Sequence, residues 1–358
     1  MSLIDVHTHL VPSSFPDNPS PSSNARWPCM HLHGDRQGTI KIADTAFREL
    51  DSRSWDGARR IEDMDRDGVQ MQALSPMPEL LSYWFDVHSG LEMARWMNAR
   101  IAELVARAPK RFAGLGMVPL QDVACAAAEL TRLRADGFSG VEIGSNINGV
   151  VLGDRRFDEF WSEAERLGLA VFVHALHPIG NDRLQQGFQD LVPFAAFPLD
   201  TALSALTLIR AGVPQRFPKL RLGFSHGGGA IVPLVHRLGQ GWKLSNGFNG
   251  ALPESPVHYA RQMFYDSLVY ERDYLKHLAT VFAPGQVFGG TDYPYAIMET
   301  NLASALASVL ERAHEGASAS AHESAPASAH ERAPEQSDAA LQASLTSGAA
   351  RRFLGLAS

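Results

Sequence analysis

The sequence predicts an α/β fold, specifically a closed (β/α)8 barrel, because short apolar runs that suit β-strands alternate with helical stretches along the whole chain. Eight such runs occur, at residues 3–6, 69–74, 112–118, 140–143, 170–174, 220–225, 264–269 and 287–290. Apolar residues recur at three- and four-residue steps in five other stretches, which indicates helices at residues 89–108, 123–135, 158–167, 200–211 and 271–280. An open doubly wound sheet is the alternative, but no Gly-x-Gly-x-x-Gly motif follows an early strand.

Two regions interrupt this alternation within a predicted single domain of residues 1–358. Residues 11–60 are rich in Pro, Ser and Asp and form an unusually long connection after the first strand, which predicts a functional insertion or lid. Residues 313–339 repeat the tripeptide Ala-His-Glu three times among Ser, Ala and Pro, which predicts a low-complexity, disordered insert. The histidines of such an insert have no fixed geometry, so we do not expect them to bind a metal ion.

The composition excludes several classes of partner. A formal charge of −7 at pH 7 provides no basic surface for nucleic acid. No uninterrupted apolar run approaches the length of about 18 residues that a membrane-spanning helix needs. The two cysteines, Cys29 and Cys125, are too few for a disulfide framework and favour a reducing compartment. We therefore expect a cytoplasmic protein with no nucleic-acid or membrane partner.

Two histidines at the end of the first predicted strand are candidate metal ligands. His7 and His9 are two residues apart, so on a strand both imidazoles point to the same side and can meet one ion. His31 and His33 have the same spacing, but they lie in the long first connection, where the sequence predicts no strand. We therefore predict a metal site at the first pair and none at the second.

Three further polar residues stand at the ends of other predicted strands. His174 ends the fifth run, His226 ends the sixth and Asp292 ends the eighth. The carboxyl ends of the strands of a barrel converge on one face, where barrel enzymes hold their active sites. Taken singly, each residue could be an ordinary buried histidine or a capping aspartate; their shared position favours one common site.

The candidate ligands also indicate which ion would bind. Histidine nitrogens together with one carboxylate oxygen suit zinc or a related divalent ion. An open coordination position would bind water and lower its pKa towards about 7, or bind a substrate oxygen directly. We therefore predict one divalent ion, zinc in the first place, with manganese or another divalent ion as the alternative.

Four motifs at these strand ends carry a resemblance to a known family. They are Asp5-Val6-His7-Thr8-His9, Val173-His174, Phe224-Ser225-His226-Gly227-Gly228-Gly229 and Gly290-Thr291-Asp292-Tyr293-Pro294. Together they resemble the amidohydrolase superfamily, in particular its mononuclear branch of amino-carboxymuconate-semialdehyde decarboxylase type. The resemblance covers nearly the whole chain apart from the Ala-His-Glu insert, and it implies a (β/α)8 barrel.

The resemblance implies a role for each residue of the centre. Four residues are implied as metal ligands: His7, His9, His174 and Asp292. His226 is implied to stay off the ion and to touch the bound water or the substrate. Binuclear relatives bridge two ions with a lysine on the fourth strand, and residues 140–144 contain none, which implies a single ion. Glu142 in that run could still reach the ion, but an outward position is commoner for a glutamate on an alternating strand.

Two arginines are the predicted substrate-binding residues. In the decarboxylases that the chain resembles, arginines at the places of Arg48, in the long first connection, and Arg237, eleven residues after His226, grip the substrate carboxylate. The second arginine comes from the partner subunit in those enzymes, which implies a homodimer. Isolated arginines are more often solvated surface residues, and this is the alternative for both.

The implied activity is that of a metal-dependent, non-oxidative decarboxylase in aromatic compound catabolism. Its substrate would be an aromatic or heteroaromatic carboxylic acid or a ring-cleavage product, and His226 or Asp292 would pass a proton to the carbon that loses CO2. Decarboxylases of the muconate semialdehyde carry a tryptophan shortly after the fifth-strand histidine, and Asp190 lies near that place here, so the particular substrate stays open. The alternative is a metal-dependent hydrolase of an ester, lactone or amide on the same scaffold. A barrel that binds ligands without catalysis is disfavoured by His226.

Overall fold

Strands and helices alternate along the chain in the computed structural model, which describes residues 2–22, 24–185, 187–319 and 338–357. The strands are β1 (Leu3–Leu10), β2 (Pro28–Leu32), β3 (Gln37–Ile42), β4 (Thr45–Asp51), β5 (Val69–Pro76), β6 (Phe112–Gly116), β7 (Gly140–Gly144), β8 (Asn146–Ile147), β9 (Val150–Val151), β10 (Ala170–His174), β11 (Arg221–Phe224), β12 (Phe264–Asp266) and β13 (Val287–Phe288). The helices are α1 (Gly57–Asp67), α2 (Val87–Arg107), α3 (Val123–Ala135), α4 (Asp158–Leu167), α5 (Asn181–Leu184), α6 (Phe197–Arg210), α7 (Val213–Arg216), α8 (Ile231–Leu244), α9 (Asn246–Asn249), α10 (Pro256–Ala260), α11 (Arg272–His277), α12 (Leu302–Ala319), α13 (Asp338–Ala343) and α14 (Ala349–Leu354).

Eight of the strands form one parallel sheet that closes on itself. Their order is β1-β5-β6-β7-β10-β11-β12-β13, and each of the eight strands predicted from the sequence takes part. The ring closes between β13 and β1, where the amide of Val6 donates to the carbonyl of Gly289 at 2.8 Å and two bridges join Asp5 to Gly289 and Thr8 to Tyr293. The predicted (β/α)8 barrel is confirmed.

The amino-terminal end of the barrel is plugged by the C-terminal helix α14. The ring of Phe353 lies 5.0 Å from that of Phe288 and 5.4 Å from that of Phe264, measured between centroids. Arg221, the first residue of β11, donates from Nη1 to the carbonyl of Arg352 at 3.1 Å and fixes the helix there. The opposite end of the barrel, where the strands terminate, is left for the polar residues of the site.

The barrel helices begin and end with ordinary capping chemistry. The side chain of Asp56 accepts from the amides of Ala58 and Arg59 at the start of α1, and Asp122 caps α3 by accepting from Cys125. Gly68 ends α1 with φ of 69°, in the left-handed region that glycine adopts without strain. The predicted helices 123–135 and 158–167 match α3 and α4, whereas the predicted helix 271–280 divides into α11 and a π-helical turn, Leu278–Phe282.

The region of residues 11–60 contains a small antiparallel sheet of β2, β3 and β4. The expectation that His31 and His33 lie outside any strand is wrong for His31, which belongs to β2. The sequence gives little sign of this sheet because its side chains are largely exposed; Ile40 and Leu50 are among the few that it buries. The sheet nevertheless packs on the barrel, so the insertion has a defined structure.

Only part of the predicted low-complexity insert, residues 313–339, can be compared with the structure. The backbone of α12 continues to Ala319 and therefore includes the first Ala-His-Glu repeat, and α13 begins at Asp338. The second and third repeats lie within residues 320–337, outside the described residues. The insert and its proposed boundaries stay a prediction.

One helical stretch, Gln189–Arg210, has the length and apolar composition of a membrane span, although polar residues such as Asp200 and Thr201 interrupt it. Its most apolar window is 44% buried within the structure. In α6, Ala202, Ala205 and Leu208 pack in the core, and the buried carboxylate of Asp200 accepts from the amide of Ile179 at 3.0 Å. A core helix of a globular domain passes the same test by length and composition.

We predict opposite effects for two glycine-to-alanine substitutions in the barrel. A Cβ at Gly140 would collide with the carbonyl oxygen of Ala170 on the neighbouring strand, so Gly140→Ala should lower the free energy of unfolding by ~1–3 kcal/mol. Gly239 lies within α8 with open space around its Cβ position, so Gly239→Ala should raise it by ~0.5–1 kcal/mol. Urea unfolding of the metal-loaded protein measures both; equal changes in the two variants would contradict the strand contact.

Candidate metal centre

Four side chains predicted as metal ligands meet at the carboxyl end of the barrel. One ligand atom each from His7, His9, His174 and Asp292 lies within 4.8 Å of the other three, and all four residues are buried. The ring centroids of His7 and His9 are 5.0 Å apart, and that of His174 is 5.1 Å from His7 and 5.0 Å from His9. Oδ1 of Asp292 is 3.0 Å from Nε2 of His9 and 3.5 Å from Nε2 of His7. The four donors surround a space that a single cation can fill.

Barrel closure is what brings Asp292 to the histidines of β1. The amide of Asp292 donates to the carbonyl of His7 at 2.8 Å, across the seam between the first and last strands. Two residues earlier on β1, the buried carboxylate of Asp5 accepts from the amide of Thr291 at 3.1 Å and from its hydroxyl at 2.7 Å. Burial raises the pKa of Asp5 to about 7 although both bonds oppose this change. The seam therefore fixes both sides of the candidate centre.

Each candidate histidine uses its Nδ1 for a hydrogen bond that points away from the cluster. Nδ1 of His7 lies 2.6 Å from Oδ2 of Asp266, Nδ1 of His9 lies 3.1 Å from the carbonyl of Pro76, and Nδ1 of His174 lies 2.9 Å from the carbonyl of Ala175. An imidazole that donates from Nδ1 carries its lone pair on Nε2, which is the arrangement found for histidines that bind metals. The tautomers therefore suit a shared ion.

The buried Nε2 of His174 indicates that the four residues fit a metal ion. It has no hydrogen-bond partner among the residues that the structure describes, and an unpaired buried polar atom is unfavourable by ~1–3 kcal/mol. A divalent cation bonded to this nitrogen would remove that cost. Three imidazole nitrogens and one carboxylate oxygen form a donor set of the kind that zinc and similar divalent ions take, so the cluster fits a divalent metal ion.

Asp266, at the end of β12, is a component of the centre that sequence reasoning missed. Besides the bond with His7, its carboxylate accepts from the amides of His226 at 2.9 Å, Gly227 at 2.7 Å and Leu268 at 3.0 Å. Burial alone would raise the pKa of Asp266, but the hydrogen bond and charge of His7 and the hydrogen bond from the amide of Gly227 hold it below its ordinary value. Asp266 lies within the seventh predicted strand, residues 264–269, and an acidic residue inside that run was the available signal.

Glu142 faces the barrel interior, so the expectation that it points outward is wrong. Its neighbours Val141 and Ile143 pack into the core on the helix side of β7, and the alternation of a strand then places Glu142 inside. Ser75 donates to Oε2 of Glu142 at 2.6 Å, and the same oxygen lies 3.8 Å from Nδ1 of His9. Burial raises the pKa of Glu142 to about 8.

His226 lies beside the four candidate ligands without belonging to the set. Its ring centroid is 5.1 Å from that of His174 and 5.3 Å from that of His7. Its Nδ1 is buried and has no hydrogen-bond partner among the residues described. Burial lowers the pKa of His226 to about 4, so its imidazole is neutral near pH 7. His226 therefore lies next to the cluster as a neutral imidazole.

The centre opens into a cavity of about 510 Å³ with mostly apolar and aromatic walls. The ring of Tyr295 lines it and stacks on His9, with centroids 5.1 Å apart. The guanidinium carbon of Arg48, on β4, lies 4.2 Å above the same ring. The insertion therefore brings Arg48 to the cavity, and within the described part of the chain no carboxylate forms an ion pair with it.

Three other residues considered from the sequence lie outside the metal cluster. Arg237 is exposed on α8 and does not line the cavity of its own chain. Asp190, at the place where the resembled decarboxylases have a tryptophan, is also exposed, and the aromatic walls on that side come from Phe194 and Phe197. His33 binds Thr39, with 2.7 Å between Nε2 and Oγ1, and takes no part in the cluster that can hold a metal.

A closed barrel that gathers three histidines and an aspartate at its strand ends defines a metal-dependent barrel enzyme. The chain matches the amidohydrolase family model over residues 4–356 and belongs to that family.

Similar proteins place the chain in the decarboxylase branch of the family. It is 34% identical, over 310 residues and 86% of each chain, to 2-amino-3-carboxymuconate-6-semialdehyde decarboxylase of Dictyostelium discoideum. The structure of 5-carboxyvanillate decarboxylase from Sphingomonas paucimobilis is similar with a TM-score of 0.76, at 25% identity and 99% coverage of both chains. A dihydroxybenzoic acid decarboxylase from Polaromonas with bound manganese and 2-nitroresorcinol shares the fold, with a TM-score of 0.69, 20% identity and coverage of 99% and 97%. The family resemblance inferred from the motifs is confirmed.

We predict that metal analysis of purified protein gives about one divalent ion per chain and that His9→Ala loses it. The ion is lost because His9 supplies one of the donors. The hydrogen bond between Nδ1 of His9 and the carbonyl of Pro76 directs Nε2 of His9 into the cluster. His33→Ala is the matched control, because His33 has the same spacing from a neighbouring histidine but lies outside the cluster, and it should keep the ion. Full occupancy in His9→Ala would refute the ligand set.

Metal affinity should fall as the pH is lowered. Burial by itself would lower the pKa of His7, but the hydrogen bond to Asp266 and the charges of Asp292, Asp266 and Glu142 raise it to about 9. Below that pH the imidazole holds a proton that an ion must displace, so the apparent affinity should drop about tenfold per pH unit between pH 8 and 6. Competition with a chelator of known affinity measures this; an unchanged affinity would mean that His7 binds no ion.

Proposed function

We propose that the chain is a metal-dependent, non-oxidative decarboxylase that acts on an aromatic or heteroaromatic carboxylic acid or on a ring-cleavage product of one. The observation that carries the proposal is the cluster of His7, His9, His174 and Asp292 at the base of an aromatic cavity that also contains Arg48. The similarity to decarboxylases of a carboxymuconate semialdehyde and of 5-carboxyvanillate supports this class of reaction.

The proposed cofactor is one divalent ion bound by His7, His9, His174 and Asp292. When bound, the ion supplies a positive charge that binds the substrate carboxylate or an adjacent oxygen and stabilises negative charge near the reacting carbon. The donor set favours zinc. Manganese in the structurally similar Polaromonas enzyme makes it the alternative.

Arg48 is proposed to orient the acid. A guanidinium keeps its charge at any physiological pH and can hold a carboxylate by two parallel hydrogen bonds. Stacking on Tyr295 fixes one face of Arg48 and leaves the edge that carries the donors available. Leu268 and Phe197 add apolar walls to the cavity that Arg48 lines.

His226 and Asp292 are proposed to move the proton that replaces CO2. Burial would raise the pKa of Asp292, but the hydrogen bond with His9 and the charge of His7 lower it, so Asp292 is an anion that can accept a proton. Asp292 or His226 takes up a proton from the solvent and passes it to the carbon, the bond between that carbon and the carboxylate breaks with its electron pair staying on the carbon skeleton, and CO2 leaves. No electrons are gained or lost, so no redox cofactor is needed.

Arg237 is proposed to act in the active site of a partner subunit. Arg237 is exposed on α8 and does not line the cavity of its own chain. A residue that serves the active site of a second subunit is expected in such a position. We also propose that the protein is a homodimer and that it is located in the cytoplasm. The free state of Cys29 and Cys125 supports a reducing compartment.

Release of CO2 from a panel of acids tests the activity. Hydroxybenzoates, a carboxymuconate semialdehyde and simple lactones are offered to the metal-loaded protein, and we expect CO2 from at least one of the acids. His226→Gln should keep its ion and lose activity ~10²-fold or more, because one of the two proposed proton-transfer groups is gone. His258→Gln, an exposed histidine outside the cavity, should retain full activity. Lactone hydrolysis without CO2 release would favour the hydrolase alternative.

Mixing inactive variants tests whether Arg237 acts across subunits. His174→Ala and Arg237→Ala, each inactive alone, should together recover about a quarter of wild-type activity after subunit exchange, because half of the dimers are mixed and each has one intact site. His174→Ala mixed with Arg48→Ala is the control and should recover nothing if Arg48 serves its own chain. Absence of recovery in the first mixture, with exchange shown by mass spectrometry, contradicts action in trans.

A further inference from the structure

Two side chains that line the cavity, Glu79 and His177, form a closed contact ring with Arg26 and Trp84, and the proposed steps do not use this ring. We call Glu79, Arg26, His177 and Trp84 the Glu79 cluster. Arg26 donates from Nη2 to Oε1 of Glu79, and His177 donates from Nε2 to Oε2 at 3.0 Å. Trp84 stacks on His177 with centroids 4.8 Å apart, and the guanidinium carbon of Arg26 lies 4.5 Å over the same indole. Each member is therefore held by two others.

The Glu79 cluster stands close to the candidate metal centre. Glu79 lies in the 3₁₀ turn Pro78–Leu81, three residues after Pro76, whose carbonyl anchors His9. His177 follows the candidate ligand His174 by three residues. Three residues span at most roughly 10 Å, so a molecule with one aromatic ring and its substituents can reach from the centre to Glu79.

His177 has a backbone conformation that indicates a constraint on this part of the site. Its φ is 45°, in the left-handed region that residues other than glycine seldom adopt. Such strain persists where the surroundings fix it, and it is commonest at functional positions. Here the fixed conformation holds the imidazole against Glu79 and Trp84.

The carboxylate of Glu79 retains the capacity to accept another hydrogen bond. It offers about four lone-pair positions, of which Arg26 and His177 use one on each oxygen. The side chain is 10% exposed and lines the cavity. Among the lining residues that the structure describes, Glu79 is the one carboxylate apart from Asp292 of the centre.

We propose that Glu79 determines substrate specificity by accepting a hydrogen bond from a hydroxyl or amino substituent of the substrate. The inference rests on the proposed decarboxylase function and narrows its substrate class to acids that carry such a donor. A charged acceptor fixed by two partners needs little reorganisation to bind a donor, and it disfavours a methoxy group or a second carboxylate at that place. Arg26 and His177 are positioning residues, because they act by holding Glu79.

Matched pairs of acids test this inference. The four dihydroxybenzoates with one hydroxyl at carbon 2 are compared with the counterparts in which the second hydroxyl is replaced by methoxy. For at least one pair, the wild-type protein should prefer the hydroxyl compound by ~10²-fold or more in kcat/KM. Glu79→Gln should reduce this ratio about tenfold, since the acceptor loses its charge, and Glu79→Ala should remove the preference.

A control variant separates specificity from structural support. Glu129 pairs with Arg95 at 2.6 Å and is about as buried as Glu79, but it lies outside the cavity, so Glu129→Gln should leave the ratio unchanged. All variants are checked for metal content and thermal stability. If the ratio of kcat/KM for the hydroxyl acid to that for the methoxy acid stays at its wild-type value in Glu79→Ala, and both acids are slowed equally, then Glu79 only supports Arg26 and His177. That outcome overturns the inference.

A binding measurement keeps the inference testable if the proposed reaction is wrong. The affinity of the manganese-loaded protein for catechol and resorcinol is compared with that for their monomethyl ethers by calorimetry. Tighter binding of a hydroxyl compound that depends on Glu79, in a protein that releases no CO2 from any acid, would retain the inference and reject the decarboxylase. Equal binding of both members by wild-type protein overturns the inference whether or not CO2 is released.

Discussion

The buried carboxylate of Asp266 is the constraint on which the candidate centre depends. One side chain accepts from Nδ1 of His7 on β1 and from the amides of His226 and Gly227 after β11. An anion in the barrel interior is tolerated because its donors replace water, and the same charge orients the imidazole whose Nε2 faces the cluster. Loss of this carboxylate would therefore affect both the packing of three strand ends and the direction of the first ligand.

The barrel supplies the rigid base, and the segments beyond its strands supply the contacts for a substrate. The ends of β1, β10 and β13 place the nitrogen and oxygen donors together, as parallel strands in a ring must. Recognition groups come from less regular segments: Arg48 from the small antiparallel sheet, and Glu79 from the turn after β5. This division lets one metal centre serve different acids, because loop residues can change without moving the strands.

The cavity combines three environments that suit a carboxylic acid with a further polar substituent. The cluster at its base provides the site of an ion, Arg48 provides a permanent cation on a tyrosine ring, and Glu79 provides a fixed acceptor. The remaining walls are mostly apolar and aromatic, and Asp292 and Glu79 are buried among them whereas Arg48 is exposed at the cavity.

Local sequence pattern indicated the eight barrel strands, five of the helices and five polar residues at strand ends. His7 and His9 were indicated because a strand repeats every two residues, and His174, His226 and Asp292 because polar residues at the ends of apolar runs meet in a barrel. The family resemblance implied which four of these five residues are ligands. Only the tertiary structure decided the inward direction of Glu142, the acceptor role of Asp266, 259 residues from His7, and the pairing of Arg26 with Glu79, 53 residues away. The physical reason is that neighbouring residues determine where a ligand lies on its strand. Its hydrogen-bond partners depend on how distant strands and loops pack against each other.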